Sequence, residues 1–166
     1  QLGRMLTMAA ARLGLKCHIY ADSAGPAFDV AHATTLGSYS DWTALEAFAA
    51  QVQAVTYEFE NVPEETAKFL LKHVPVRPGA KALAVAQDRL AEKAFITDLG
   101  IAVAPYRSIN TAADITTALE AFDAPAILKT RRLGYDGKGQ ASVKPGDDVA
   151  AAFAAISAPE YWPLLA

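Results

Sequence analysis

Apolar residues along the chain alternate between helical spacing and short continuous runs. In the first half, one helix is predicted from Met5, Leu6, Ala9 and Leu13, with Gly14 as its stop. A second helix is predicted from Leu45, Phe48, Ala49 and Val52, with Ser40 or Asp41 as N-cap. The segments at 16–21 and 34–36, between these helices, and the segment at 54–57, after the second helix, are predicted strands. This alternation indicates an α/β fold with a parallel sheet covered by helices.

The second half has a different order of predicted elements. Residues 83–100 form a predicted helix, with Asp88 as N-cap and an apolar face of Leu90, Ala91, Ala94, Phe95 and Leu99. A strand at 106–109 and a helix at 111–122 follow, and Thr111 with Asp114 resembles a capping box. Strands at 126–129 and 140–143 and a helix at 147–156 complete the pattern. We therefore divide the chain into residues 1–86, a helical linker at 87–104, and residues 105–166.

Both ends of the sequence are unusual for such a fold. A parallel sheet of this type normally opens with a strand and a glycine turn before its first helix, so we expect that strand to precede Gln1. Residues 161–166 are apolar and uncharged, and an unpaired sheet edge there would be a liability. We therefore also expect further chain beyond Ala166.

Composition narrows the classes of function. The 166 residues carry a formal net charge of −3, which argues against nucleic-acid or membrane-surface binding, and contain no apolar run long enough to span a bilayer. Cys17 is the only cysteine, so an internal disulfide is excluded, and the three histidines lack metal-ligand spacing. With no signal peptide, the predicted location is the cytoplasm.

The most informative segment is a glycine-rich loop that follows a strand ending in a lysine. The strand ends at Lys129, and the candidate loop residues are Gly134, Tyr135, Asp136, Gly137, Lys138, Gly139 and Gln140. Glycines let backbone N–H groups approach a ligand closely, and the lysines attract an anion, so the loop is typical of a phosphate lid. Asp-Gly is also a strong hairpin signal, and a hairpin tip can itself be the lid. The loop is neither a Walker A sequence nor a dinucleotide fingerprint.

Two further polar segments are candidates for ligand contact. The acidic segment at 56–61, which includes Glu58, follows a predicted strand, where open α/β sheets bind ligands; it would also serve as a helix cap. Arg89 lies in the first turn of its helix, where a cation opposes the helix dipole. That unfavourable position suggests a phosphate partner, whereas the alternative is an ordinary exposed arginine.

Together these segments resemble the ATP-grasp superfamily and, within it, the 5-(carboxyamino)imidazole ribonucleotide synthases. The matching segments are at 1–5, 56–63, 76–78, 87–93 and 129–140, in the order of that family. The pair at 57–61 and 134–140 is the most specific part. The resemblance implies that 1–86 is a Rossmann-like domain without its first strand and that 105–166 is the small α+β lid subdomain.

The resemblance also implies an activity and a set of ligands. The family uses ATP, Mg²⁺ and bicarbonate to carboxylate 5-aminoimidazole ribonucleotide through carboxyphosphate. It implies ATP contacts from Arg89, Lys129 and Gly134 to Gln140, and contacts with the second substrate from Tyr135, Asp136 and Glu58. Family members are often homodimers. The acidic metal ligands lie in a later domain of the family, so we expect residues 1–166 alone to hold no metal and to be inactive.

Two other functions stay open at this point. One is a different ATP-grasp enzyme that activates a carboxylate, although such enzymes should lack the paired signature at 57–61 and 134–140. The other is a non-catalytic nucleotide-binding module, which gains weight if the natural chain ends at Ala166.

Overall fold

In a computed structural model, the chain is described at residues 1–133, 139–156 and 163–165, the last three by backbone alone. It divides into two compact units, Gln1–Leu83 and Ala84–Ala166. Helices and strands occur in both units, which confirms the predicted mixed α/β class. Within the described part of the chain, no helix combines the length and the apolar character needed to cross a membrane.

The first unit alternates helices with short parallel strands. Its elements are α1 (Leu2–Arg12), β1 (His18–Ala21), β2 (Ala33–Leu36), α2 (Trp42–Ala49), α3 (Glu64–Leu70) and the start of α4 (Ala80–Gln87). β1 and β2 pair in parallel, with His18 opposite Ala33. The prediction of a strand at 54–57 is wrong, because only Val55 makes a parallel bridge, to Val76.

The core of the first unit is built on the predicted face of α2. Leu45, Phe48 and Ala49 are buried, and Val52 packs against them from the end of the helix. Asp41, rather than Ser40, is the N-cap, and its Oδ1 accepts a hydrogen bond from the Ala44 amide at 3.0 Å. The helical periodicity of the sequence therefore predicted both the position of α2 and the face of α2 that is buried.

The second unit is an antiparallel sheet with helices. Its elements are α5 (Arg89–Asp98), β3 (Arg107–Ser108), α6 (Ala112–Phe122), β4 (Ala126–Thr130), β5 (Gln140–Val143), α7 (Val149–Ile156) and β6 (Pro163–Leu165). The strand order is β3-β6-β4-β5. Ile115, Leu119, Leu128, Val143 and Ile156 are buried together, which places the core between this sheet and helices α6 and α7.

Three local predictions in this unit have different outcomes. The capping box at Thr111 is confirmed, since its side chain accepts from the Asp114 amide and the Asp114 carboxylate accepts from the Thr111 amide. The predicted N-cap at Asp88 is confirmed, but the segment at 83–100 is not one helix, because Asp88 has the extended φ of −127° and ψ of 114° and separates α4 from α5. The predicted apolar face of α5 is not buried by the described residues, and Leu99 is 60% exposed.

Candidate functional site

Lys129 lies on the face of β4 that points away from the core of its unit. The burial of β4 alternates, so Ala126, Leu128 and Thr130 are buried while Lys129 is half-buried. Because side chains alternate across a strand, the core packing of Leu128 directs Lys129 to the other face. In the register of β4 and β5, Lys129 lies directly opposite Gln140, so these two predicted site residues are neighbours on one face.

The next pair toward the glycine-rich segment is Thr130 with Gly139. The Thr130 amide donates to the Gly139 carbonyl at 2.8 Å. Gly139 has φ +68°, and a Cβ built on it would lie 2.8 Å from Thr130 Oγ1. This position therefore requires glycine for both its backbone conformation and its close approach. Thr130 Oγ1 is buried and has no hydrogen-bond partner among the described residues.

Arg89 is brought to the same end of β4 by the start of α5. Its backbone amide donates to the Arg131 carbonyl at 3.0 Å. Its Nη1 donates to the Thr130 carbonyl at 3.0 Å, across 41 positions of sequence. The alternative interpretation of Arg89 as an ordinary exposed arginine is therefore wrong. Arg89, Lys129, Gly139 and Gln140 all lie around one end of the β4–β5 pair.

Ionic and polar contacts reinforce this junction between α4, α5 and β4. Arg131 donates to both oxygens of the Asp88 carboxylate, Nε to Oδ1 at 3.1 Å and Nη2 to Oδ2 at 2.5 Å. Arg132 Nη2 donates to Gln87 Oε1 at 2.5 Å. Burial by itself raises the pKa of Asp88, but the hydrogen bonds from Arg131, Ala91 and Leu90 outweigh it and hold that pKa below its ordinary value.

These pairs were missed in the sequence interpretation. From the sequence, Asp88 is predicted only to be a helix cap, and no contact is predicted for Arg131 or Arg132. Their partners lie 43 and 45 positions away, beyond the reach of any periodicity. The one available signal was the complementary polar and charged residues at 87–89 and 130–132.

The other predicted site residues do not lie among the described residues around β4 and β5. Glu58 lies in the first unit, exposed, after the Val55 bridge; beside it, the Tyr57 hydroxyl donates to the Gly79 carbonyl at 3.2 Å. Gly134, Tyr135, Asp136, Gly137 and Lys138 lie outside the described residues. Across 1–133, 139–156 and 163–165, no group of three or more His, Cys, Asp or Glu side chains is arranged to hold a metal ion.

Comparison with known protein families divides the chain in two. Residues 1–87 match the family described as the ribonucleotide synthetase preATP-grasp domain. Residues 94–162 match the ATP-grasp domain. The first match covers just over half of the chain, and the second includes α6 and the β4–β5 pair.

Individual relatives give a consistent picture. The chain is 46% identical over 160 residues to N5-carboxyaminoimidazole ribonucleotide synthase of Brucella melitensis, an alignment that covers 95% of this chain and 44% of that protein. It is similar to N5-carboxyaminoimidazole synthetase from Staphylococcus aureus complexed with ADP, with a TM-score of 0.90, 33% identity, and coverage of 99% of this chain and 44% of that one.

A second similar structure contains both a nucleotide and a ribonucleotide. It is N5-carboxyaminoimidazole synthase from Aspergillus clavatus in complex with ADP and 5-aminoimidazole ribonucleotide. The TM-score is 0.86 at 25% identity, and the match covers 99% of this chain and 43% of that one. The chain thus spans less than half the length of each of these relatives and resembles their N-terminal portion.

Proposed function

This chain belongs to the ribonucleotide synthetase preATP-grasp domain family, and on that basis we propose that it is part of an ATP-dependent ligase of purine biosynthesis. The proposed reaction carboxylates 5-aminoimidazole ribonucleotide with bicarbonate, through carboxyphosphate. The observation that carries the proposal is the convergence of Arg89, Lys129, Gly139 and Gln140 at one end of β4 and β5.

We assign the nucleotide phosphates to Lys129 and Arg89. A lysine at the end of a strand holds its ammonium over a restricted region, because the backbone of β4 is paired on both sides. At about 4 Å and an effective dielectric near 20, one pair of opposite unit charges gains roughly 4 kcal/mol before desolvation. The proposed chemical role of Lys129 and Arg89 is therefore to position the phosphates and to stabilise their charge.

The other proposed contacts follow the resemblance. Residues 134–138 complete the phosphate loop with Gly139 and Gln140, and Tyr135, Asp136 and Glu58 contact 5-aminoimidazole ribonucleotide. ATP supplies the phosphoryl group, and Mg²⁺ accompanies it. Since the described residues provide no cluster of metal ligands, none of them is assigned to the metal.

The proposal is tested with the intact natural polypeptide that contains residues 1–166. Native mass spectrometry of that protein gives its chain length and tests the predicted homodimer. ADP release is then measured with ATP, bicarbonate and 5-aminoimidazole ribonucleotide together, and with each one omitted. ADP release that depends on all three compounds is the expected result. ADP release that does not depend on 5-aminoimidazole ribonucleotide, but increases when another acceptor is added, would favour a different ATP-grasp enzyme. Nucleotide binding without turnover would favour a non-catalytic module.

Lys129→Ala tests the assignment of the phosphate site. Loss of one charged hydrogen bond costs about 1.5–3 kcal/mol, so we expect the Kd for ATP to rise about 10- to 150-fold by isothermal calorimetry. Lys144→Ala is the matched control, because Lys144 is an exposed lysine beyond the opposite end of β5. Equal affinities in the Lys129 variant and wild type would remove Lys129 from the site.

A further inference from the structure

Asp88 contacts two elements at once, the first turn of α5 and the end of β4. Its Oδ1 accepts from the amides of Leu90 at 2.9 Å and Ala91 at 3.3 Å, so it caps α5. The same carboxylate accepts two hydrogen bonds from Arg131. Both side chains are partly withdrawn from water, with 21% of Asp88 and 28% of Arg131 exposed. A carboxylate and a guanidinium that meet at two points fix an orientation as well as a distance.

The residues on either side of Asp88 continue the same contact. Gln87 accepts from Arg132, and Arg89 binds the carbonyls of Thr130 and Arg131. Three consecutive residues at the α4–α5 junction therefore bind three consecutive residues at the end of β4. Asp88 is the central member, and it carries the charge that Arg131 requires.

We propose that Asp88 is a positioning residue that fixes Arg89 of α5 relative to Lys129 of β4, an inference that rests on the nucleotide site proposed above. Arg89 directly follows Asp88, and Lys129 lies two positions before Arg131. Pairing Asp88 with Arg131 therefore holds the two proposed phosphate-binding cations at one separation before a nucleotide arrives. Without the pair, α5 keeps its cap but loses the two-point ion pair that orients it on the end of β4, where the hydrogen bonds of Arg89 remain. Nucleotide binding must then order the two elements and becomes weaker.

Asp88→Asn separates this role from helix capping. Asparagine caps a helix N-terminus about as well as aspartate does, so α5 should persist. Its side chain is neutral and has a single acceptor oxygen, so the two-point ion pair with Arg131 is lost. Asp114→Asn is the matched control. Asp114 also lies at a helix N-terminus in the same unit, but its hydrogen bonds join only α6 and the residues just before it.

The first experiment measures ATP kinetics of the intact polypeptide with Asp88→Asn, Arg131→Gln, the double variant and Asp114→Asn. Small misplacements at a site cost up to about 100-fold, so we expect kcat/KM for ATP to fall roughly 10- to 100-fold in each single variant at the pair. We expect the double variant to be no worse than Arg131→Gln, because both changes break one interaction. The fall should come mainly from a higher KM for ATP, while the KM for bicarbonate stays at its wild-type value. All kinetic constants of the Asp114→Asn control should equal those of wild type. Independent, multiplicative losses at Asp88 and Arg131 would overturn the proposal.

The second experiment needs no nucleotide and no activity. The ¹⁵N-labelled side-chain Nε–H resonances of Arg89 and Arg131 are compared by NMR in wild type, Asp88→Asn and Asp114→Asn. We expect Asp88→Asn to shift both resonances and to speed their exchange with water, and Asp114→Asn to shift neither. An unchanged Arg89 resonance in Asp88→Asn would show that Asp88 does not position it. A wild-type protein that binds no nucleotide would instead refute the proposed function, and this NMR result would still decide the role of Asp88.

Discussion

Replacing Gly139 with alanine tests the tightest backbone contact at the site. Two separate costs are expected. The φ of +68° is a left-handed conformation, which costs a non-glycine residue about 1–2 kcal/mol. The new Cβ would also lie 2.8 Å from Thr130 Oγ1 and 3.0 Å from Thr130 Cγ2, so buried atoms must move. Overpacking of this kind typically costs about 1–3 kcal/mol, which brings the total to about 2–5 kcal/mol.

Gly100 provides the matched control for the conformational cost. It has φ +76°, belongs to the same unit, and has no atom within 4 Å of a built Cβ. Gly100→Ala should therefore cost only about 1–2 kcal/mol. A second control is Gly139→Ala in a Thr130→Ala background, which removes both the Oγ1 and the Cγ2 that the new methyl group would meet.

The assay is native-state hydrogen exchange at the amides of β4 and β5, because exchange reports the opening of this unit by itself. The 1–3 kcal/mol difference between the two glycine variants corresponds to about 5- to 150-fold faster exchange in Gly139→Ala. In the Thr130→Ala background, the added cost of Gly139→Ala should fall to that of Gly100→Ala. Equal exchange rates in the two single variants, or an unchanged cost in that background, would refute the packing argument.

Two other predictions concern the same end of β4. Thr130→Val should leave the free energy of unfolding unchanged or raise it by about 1 kcal/mol in urea denaturation, since the buried hydroxyl has no partner among the described residues; a loss of more than 1 kcal/mol would reveal a partner. The lowered pKa of Asp88 means that its stabilising effect is complete above its ordinary pKa of 3.8 and is lost as the pH falls through the folded value. The Tm of wild type should therefore decline more steeply below pH 4 than that of Asp88→Asn, and parallel curves would contradict the linkage.

Local patterns in the sequence predicted the elements that depend on local interactions. The buried face of α2 and the capping box of α6 are confirmed because each involves residues within one or two helical turns. The predicted strand at 54–57 failed because strand formation needs a partner, and only Val55 finds one, at Val76. Asp88 caps α5 as predicted, but the helix at 83–100 is interrupted there, because Asp88 is extended and pairs with the distant Arg131.

By itself, the sequence determined the mixed α/β class and the order of most elements, and it supplied the candidate residues for a phosphate site, because these follow from periodicity and side-chain chemistry. Only the tertiary structure decided that Arg89 meets the end of β4 and that Lys129 faces Gln140. Only the tertiary structure revealed that Asp88 joins α5 to Arg131, 43 positions away. Such contacts form only when folding brings together residues that are far apart in the sequence, and local residue spacing does not reveal which distant residues will meet.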